Sequence, residues 1–567
     1  MASYYFALLL LLAAINAKAF TNVDWWERAS LYQIYPRSFQ DSDGDGVGDL
    51  QGITDRLEYL REIGITATWL SPVFESPMSD FGYDISNFTR IDPIFGNLDD
   101  FDAMIAKAKQ LDVKIILDFV PNHSSDECEW FQRSIRKEPG FEDFYVWHDG
   151  KIDPMDPAKR TAPSNWVSVF GGSQWSWNEE RQQFYLHQFQ DKQPDLNYSN
   201  PMVRQYMLEV LEYWLDRGVD GFRIDAVPHI FEKQNDDGSY PDEPISGWSN
   251  DPNSYDYHDH IYTKDQYPTI ELLYEWRQFL DEYQRKNGGE TRVLLAEAYS
   301  SVETLSQYFG NGTHWGAHLP MNFNLMYLNG FSTARDVENS INYWMDTMWS
   351  NHHTANWVVG NHDNDRVANR MGSHKVNMIN IIVNTLPGAS VTYYGEEIAM
   401  SNVPTECTEI SCDSRDPERS PMQWEPKANA GFSQGPSTWL PIAHDYEIYN
   451  VESERKAARS SLNIFKNLQK LKHTAAFRNF KAEGGFSYKA LSEQVLQIIR
   501  AIPKREEYMV LVNMGNKLEY VENIDERIFE CILMSPHSPR NYGDKVNLSG
   551  RIYLMPYEAF VLRWLER

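Results

Sequence analysis

The sequence predicts an α/β fold: a (β/α)8 barrel of the TIM type, with an inserted domain after its third strand and an antiparallel β domain at its C-terminus. Eight strand-like segments alternate with amphipathic stretches. Four segments end an apolar run on an acid or a histidine: Ile115–His123, Gly221–Ile230, Val293–Ser300 and Trp357–Asp363. A run such as Ile115–Leu117 is too apolar for a half-exposed strand, so its acid sits where a buried strand meets a loop. Four such ends deliver Asp118, Asp225, Glu297 and Asp363 to one rim, the place where barrel enzymes gather reactive groups.

In chain order, residues 6–15 form an apolar block too short to span a bilayer, followed by Ala17-Lys18-Ala19. Residues 1–19 are therefore expected to be a cleaved signal peptide of a secreted, extracellular protein, although no Lys or Arg precedes the block. The candidate strands are Leu31–Phe39, Ile65–Pro72, Lys114–Val120, Gly221–Val227, Val293–Ala298, His318–Asn324, Ala355–Asn361 and Ala389–Gly395. Amphipathic Leu98–Leu111 and Val203–Arg217 are among the helical connections. The third and fourth strands lie about 100 residues apart, too far for one crossover. The aromatic, Gly-rich Asn165–Trp177 in that gap suits a domain that roofs a pocket. After about residue 480 short alternating strands such as Glu507–Val512 take over. The expected domains are a barrel of 20–122 and 201–480, an inserted domain of 123–200, and a C-terminal β-sandwich of 481–567.

Composition narrows the function. The 567-residue chain is 42% hydrophobic, enough to bury a large core. Its 81 acids against 52 bases give a net charge of −29, which leaves no basic footprint for nucleic acid. A neutral polar substrate or a metal fits better. No later stretch reaches the roughly 18 apolar residues of a membrane span. In an oxidising compartment Cys407 and Cys412, five apart, can close a small disulfide loop. Cys128 and Cys531 are either free buried thiols or a second bridge, and the absence of a C-x-x-C pair argues against metal binding by cysteine. Asn87, Asn197, Asn311 and Asn547 begin glycosylation acceptors. Asn122 also begins one, but it lies inside the first rim segment and is expected to be bare.

The rim acids suit glycoside cleavage, which needs one acid to protonate the leaving oxygen and one carboxylate to meet an oxocarbenium-like centre. Arg223 precedes Asp225 by two, so both side chains leave one strand on the same side, and the guanidinium can hold that carboxylate ionised. Glu297 ends an apolar strand, where desolvation raises a carboxyl toward the range of a general acid. Asp363 is a third acid, and His123 and His362 are candidate donors to sugar hydroxyls.

These residues resemble the α-amylase superfamily, glycoside hydrolase family 13, and within it the α-glucosidase and insect maltase branch. The resemblance runs through DFVPNH (118–123), QPDLN (193–197), GFRIDAV (221–227), LLAEA (294–298), GNHD (360–363), residues 32–53, SPMSDFGYDI (76–85) and SRDPERSPMQW (414–424). It implies Asp225 as nucleophile, Glu297 as acid/base and Asp363 as the acid that stabilises the transition state. It further implies a glucose subsite of Asp80, Tyr83, His123, Phe170, Phe189, Gln193, Arg223, His362 and Arg415, with Arg419 in the same motif as Arg415.

Residues 41–49 (DSDGDGVGD) place carboxylates at alternate positions, as a hard cation demands of oxygen ligands, but the twelfth position is Gly52 rather than the Glu of an EF-hand. The resemblance implies a structural Ca2+ held by Asp41, Asp43, Asp45 and Asp49 and the Val47 carbonyl; no organic cofactor is expected. In similar enzymes a small residue after the nucleophile goes with α-1,4 linkages and Val with α-1,6, so the resemblance implies α-1,4 linkages from Ala226. The expected activity is retaining, exo-acting release of glucose from maltose, short maltooligosaccharides and sucrose, with transfer to a sugar acceptor as a competing outcome. Two other readings remain. A non-catalytic barrel relative, a receptor or transporter partner, would need a membrane segment and loss of the acids. An endo-acting α-amylase is disfavoured by the QPDLN and SRDPERSPMQW motifs.

Overall fold

The computed structural model describes residues 23–566 apart from 154, 351–352, 405–412, 480 and 482. The signal-peptide expectation and the Cys407–Cys412 pairing lie outside the described residues. Cys128 and Cys531 are both free and buried.

Eight parallel strands form the barrel: β1 (Ser30–Ile34), β2 (Ala67–Leu70), β3 (Lys114–Phe119), β4 (Gly221–Ile224), β5 (Val293–Ala296), β6 (Leu319–Pro320), β7 (Asn356–Val358) and β8 (Ala389–Tyr393). Each overlaps one of the segments predicted from the sequence. Backbone ladders run in the order β6-β5-β4-β3-β2-β1-β8-β7. Alternate residues face inward, and that alternation builds the site from below. Leu31, Ala67, Ile116, Val293, Leu295, Leu319, Val358 and Val391 pack into one apolar plug inside the barrel. Outward-facing Tyr32, Leu117, Phe222, Leu294 and Trp357 belong to the larger core. One step above Ile116 the inward position on β3 is Asp118; on β4 the inward positions are Arg223 and then Asp225. The apolar plug thus gives way to charge toward the C-terminal end of the strands. Gly221 opens β4 because a Cβ there would lie 2.4 Å from the Val293 carbonyl oxygen of β5.

The barrel closes between β6 and β7 through two buried side chains rather than a backbone ladder. Pro320 has no N–H to offer. The Asn322 amide N–H donates to Asn356 Oδ1 at 2.9 Å, Asn322 Nδ2 donates to the Asn356 carbonyl at 3.1 Å, and Asn356 Nδ2 donates to the Pro320 carbonyl at 2.7 Å. Asn356→Ala would leave a buried N–H and a buried carbonyl without partners, each costing about 1–3 kcal/mol. The expected result is a loss of about 2–4 kcal/mol, read as a lower urea midpoint.

Between β3 and β4 lie a three-stranded antiparallel sheet (Trp147–His148, Gln183–Leu186, Trp175–Asn178) and a hairpin (Lys151–Asp153 with Asp156–Thr161). Trp166, Trp175, Phe184, Leu186 and, from the loop after β4, Tyr240 form a core of their own. The C-terminal strands are β9 (Phe486–Ala490), β10 (Val495–Ile502), β11 (Glu506–Asn513), β12 (Ile528–Met534), β13 (Lys545–Asn547) and β14 (Ala559–Leu565). They form one antiparallel sheet in the order β9-β10-β11-β14-β12-β13. One of its faces packs on the two-stranded sheet of Glu519–Glu522 and Arg551–Leu554, around Leu511, Val521, Phe529, Ile552 and Leu562. Buried Arg500 of β10 donates to the Thr385 carbonyl at 2.9 Å and so ties this sheet to a barrel helix (Val376–Thr385).

Candidate active site

The backbone register brings the reactive groups together. Arg223 pairs with Asp118 across β4 and β3 and with Leu295 across β4 and β5. One residue beyond the ladder, the Asp225 N–H donates to the Phe119 carbonyl and the Glu297 N–H to the Ile224 carbonyl, each at 2.9 Å. Asp225 and Glu297 therefore emerge side by side from adjacent strands.

A single guanidinium serves three carboxyl groups. Arg223, fully buried over the Trp69 ring, donates from Nη1 to Asp118 at 2.9 Å and to Asp225 Oδ1 at 2.5 Å, while Nη2 lies 3.1 Å from Glu297 Oε2. One positive charge cannot hold three buried carboxylates ionised, so the group retains protons near neutrality. Burial pushes Asp225 and Glu297 each up to about 7 and Asp118 to about 6, against the pull of Arg223. Arg223, expected from the sequence to hold Asp225 ionised, is shared with Asp118 and Glu297. Arg223 is closest to Asp225 and farthest from Glu297, which favours negative charge on Asp225 and the proton on Glu297.

Asp363 has the opposite environment. Its Oδ1 receives Arg415 at 3.2 Å and Arg419 at 3.1 Å. Burial pushes it up, but His362, Arg419, Arg415 and Arg223 together hold it well below the usual carboxylate range.

Ala226 makes the turn after Asp225 with φ 48° and ψ 36°, a left-handed conformation uncommon for a residue with a Cβ. That turn aims the Ala226 N–H at Glu297 Oε2, 2.9 Å away.

These groups floor a cavity of about 320 Å3, at the small end of the roughly 300–1,000 Å3 typical of ligand clefts. Of the residues expected at the sugar, Asp80, Tyr83, His123, Phe170, Phe189, His362 and Arg415 line it, with Asp225, Glu297 and Asp363. Phe170 and Phe189 come from the segment between β3 and β4 and meet edge to face, 6.1 Å apart. Gln193 and Arg223 stand behind the wall. Gln193 Nε2 donates to Asp80 Oδ2 at 3.1 Å and so holds that carboxylate in place, while His123 Nε2 donates to the Tyr83 carbonyl at 3.1 Å. Arg415 reaches the cavity and Asp80 (2.8 Å), whereas buried Arg419 grips Asp363 and the His362 carbonyl from below.

Both ring nitrogens of His362 are already engaged. The Tyr83 hydroxyl donates to Asp118 Oδ2 at 3.1 Å, so it accepts from His362 Nε2 at 2.7 Å, and Nδ1 accepts from Gln33 Nε2 at 2.8 Å. Burial lowers His362 to about 3 and His123 to about 4, which keeps both rings neutral. Asp118, read from the sequence as a rim acid, is the floor's inner counter-charge and does not line the cavity. Sequence reasoning missed Val169, Pro228, His229, Lys264, Tyr299 and Asn364, which complete the lining; most sit in loops where no periodicity marks them.

In the acidic loop Asp41, Asp43 and Asp49 each bring a carboxylate oxygen within 4.8 Å of the others. Asp45 lies outside that group and accepts from the Val47 N–H at 2.7 Å. Asp49 also caps the helix Leu50–Ile63 through the Gly52 N–H at 2.7 Å. Hard oxygen donors converging in a loop turned at Gly44 and Gly46, both at positive φ, fit a Ca2+ ion. Among the glycosylation acceptors, Asn311 and Asn547 are exposed and Asn87 and Asn197 half-buried; Asn122 is buried, with Nδ2 donating to Asp195 at 3.2 Å.

Comparison with known proteins follows the same lines. The profile of the family described as "Alpha amylase, catalytic domain" matches residues 33–479. The chain is 67% identical to Maltase A2 of Drosophila melanogaster over 556 residues, 98% of each chain. It is 46% identical to the salivary alpha-glucosidase of Aedes aegypti over 521 residues, 89% of each. Among solved structures, an alpha-glucosyl transfer enzyme, XgtA, superposes with a TM-score of 0.82 at 32% identity, covering 96% of this chain and 100% of its own.

Proposed function

The chain belongs to the alpha-amylase family, and from that membership we propose that it is a retaining, exo-acting α-glucosidase that releases α-glucose from maltose, short α-1,4-glucosides and sucrose. The observation that carries the proposal is the set of three carboxyl groups, Asp225, Glu297 and Asp363, on the floor of one small cavity roofed by Phe170 and Phe189. A cavity of this size suits a chain end rather than the interior of a polymer.

The differences in environment assign the roles. Asp225, nearest Arg223, attacks the anomeric carbon and forms a glucosyl ester. Glu297 gives its proton to the glycosidic oxygen, so the departing sugar leaves as a neutral alcohol. The resulting Glu297 carboxylate then takes a proton from water, whose oxygen attacks the anomeric carbon and frees Asp225. Two inversions give net retention, and a sugar hydroxyl in place of water gives transfer. Asp363, held ionised by Arg415 and Arg419, binds ring hydroxyls and faces the developing positive charge. Ala226 lines the cavity beside Asp225, and its small side chain supports the α-1,4 preference seen in similar enzymes. No helix among the described residues is long and apolar enough to cross a membrane. The presence of Asp225, Glu297 and Asp363 in one cavity weighs against the receptor or transporter-partner reading. The apolar leader before residue 20 supports secretion, with Asn311 and Asn547 as the most accessible glycan sites.

Purified protein is expected to release glucose fastest from maltose, more slowly from isomaltose, and negligibly from starch. No glucose from any of these, or fastest release from starch, would overturn the reading.

The acidic loop is proposed to hold a structural Ca2+. Chelation should lower the thermal midpoint by about 5 °C, restored by added Ca2+, and Asp41→Asn should abolish that response. An unchanged midpoint on chelation would make the loop a hydrogen-bonded turn and no more.

A further inference from the structure

Tyr299 is a side chain that the mechanism above leaves without a task. It lies two residues beyond Glu297, lines the cavity, and stacks its ring on Phe323 at 4.4 Å with an 18° interplanar angle. Its hydroxyl oxygen is approached by two amides: Asn361 Nδ2 at 2.9 Å and Asn364 Nδ2 at 3.1 Å.

The orientation of those amides is set by their neighbours. The Asp363 backbone N–H donates to Asn361 Oδ1 at 3.0 Å, which leaves Asn361 only its NH2 to face Tyr299. Asn364 Nδ2 also donates to Asn361 Oδ1, at 2.9 Å, so it too meets Tyr299 as a donor. A phenol has one hydrogen and two acceptor sites. With both acceptor sites filled, the hydrogen cannot point at either amide, and no described residue accepts it. It is left to donate into the cavity, beside Glu297 and Asp363. Lys264 Nζ donates to the Tyr299 carbonyl at 2.5 Å and so fixes the backbone from the other side.

We propose that Tyr299 is a specificity-determining residue that donates its O–H to a hydroxyl of the leaving sugar, the one whose glycosidic oxygen Glu297 protonates, and of the sugar that accepts the glucosyl group in transfer. Asn361 and Asn364 are its positioning residues: by filling the oxygen they orient the hydrogen. The inference rests on the α-glucosidase reading. Its chemistry distinguishes a sugar leaving group, which carries hydroxyls, from an aryl leaving group, which carries none at that place. By microscopic reversibility, the group that recognises the leaving sugar also recognises the acceptor.

The test compares wild type with Tyr299→Phe, which keeps the ring and its stack on Phe323. Losing one hydrogen bond to substrate should lower kcat/KM for maltose about tenfold, leave 4-nitrophenyl α-glucoside within about twofold, and cut the fraction of glucosyl transferred to added maltose in proportion. Equal losses on maltose and the aryl glucoside would mean that Tyr299 acts by holding Glu297 or Asp363 in place, and would overturn the proposal. No loss on either substrate would also overturn it. Inactivity of the wild type on both substrates would instead refute the α-glucosidase reading on which it stands.

Discussion

Asp225→Asn lowers kcat/KM for maltose by about 10^4-fold or more, the scale of loss when a nucleophile is removed and only binding and electrostatics remain. The amide is nearly isosteric, but it cannot attack the anomeric carbon. Arg223 keeps Asp118 and Glu297 as partners, so no buried cation is stranded, and the thermal midpoint should fall by no more than about 3 °C. Burst kinetics with an aryl α-glucoside check the result directly: wild type builds up a glucosyl-enzyme and the variant does not. A variant that retained even a tenth of the activity would take the nucleophile's role away from Asp225.

Glu297→Gln has an effect that depends on the substrate. General acid catalysis contributes about 10^2- to 10^4-fold, most where the leaving group is a poor one. A sugar alkoxide needs the proton and a nitrophenolate much less, so kcat/KM should fall about 10^3-fold on maltose and far less in the first step with 4-nitrophenyl α-glucoside. The pH profile carries the same signature. Burial pushes Glu297 up to about 7, so its acid form is present below that pH and is lost as pH rises through it. Wild-type activity on maltose should therefore decline on the basic side near pH 7. Burial likewise pushes Asp225 up to about 7, so its attacking carboxylate is present above that pH and is lost as pH falls through it, and activity also falls on the acid side. In Glu297→Gln the basic decline should vanish from the aryl-glucoside profile. Persistence of that decline would assign it to another group.

Most of the barrel was legible because parallel strands buried on both faces read as short apolar runs, and those runs turn polar where the strands end. Its closure was not. The two-residue β6 and the Asn322–Asn356 clasp depend on side chains 34 residues apart, and no local pattern signals that pairing. The same limit applies to the site. Asp225, Glu297 and Asp363 could be picked out because each ends a strand. Asp118 shares that pattern but sits one inward position lower than Asp225, level with Arg223, a difference of depth that the alternation does not record. Gln193 and Arg223 look like sugar ligands by motif, yet both lie behind the wall and act through Asp80 and the carboxyl groups. Tyr299, Lys264 and Asn364 come from irregular segments whose placement depends on the folded barrel. In the acidic loop the resemblance implied four side-chain ligands; Asp41, Asp43 and Asp49 converge, and Asp45 accepts from the Val47 N–H.

The central claim is that cleavage proceeds through two displacements at one anomeric carbon. It is tested most directly by proton NMR of the glucose first released from maltose by wild-type enzyme, recorded before mutarotation mixes the anomers. The α-anomer should appear first and the β-anomer only later, at the rate of mutarotation. Initial appearance of the β-anomer would establish a single displacement and would contradict Asp225 as a nucleophile.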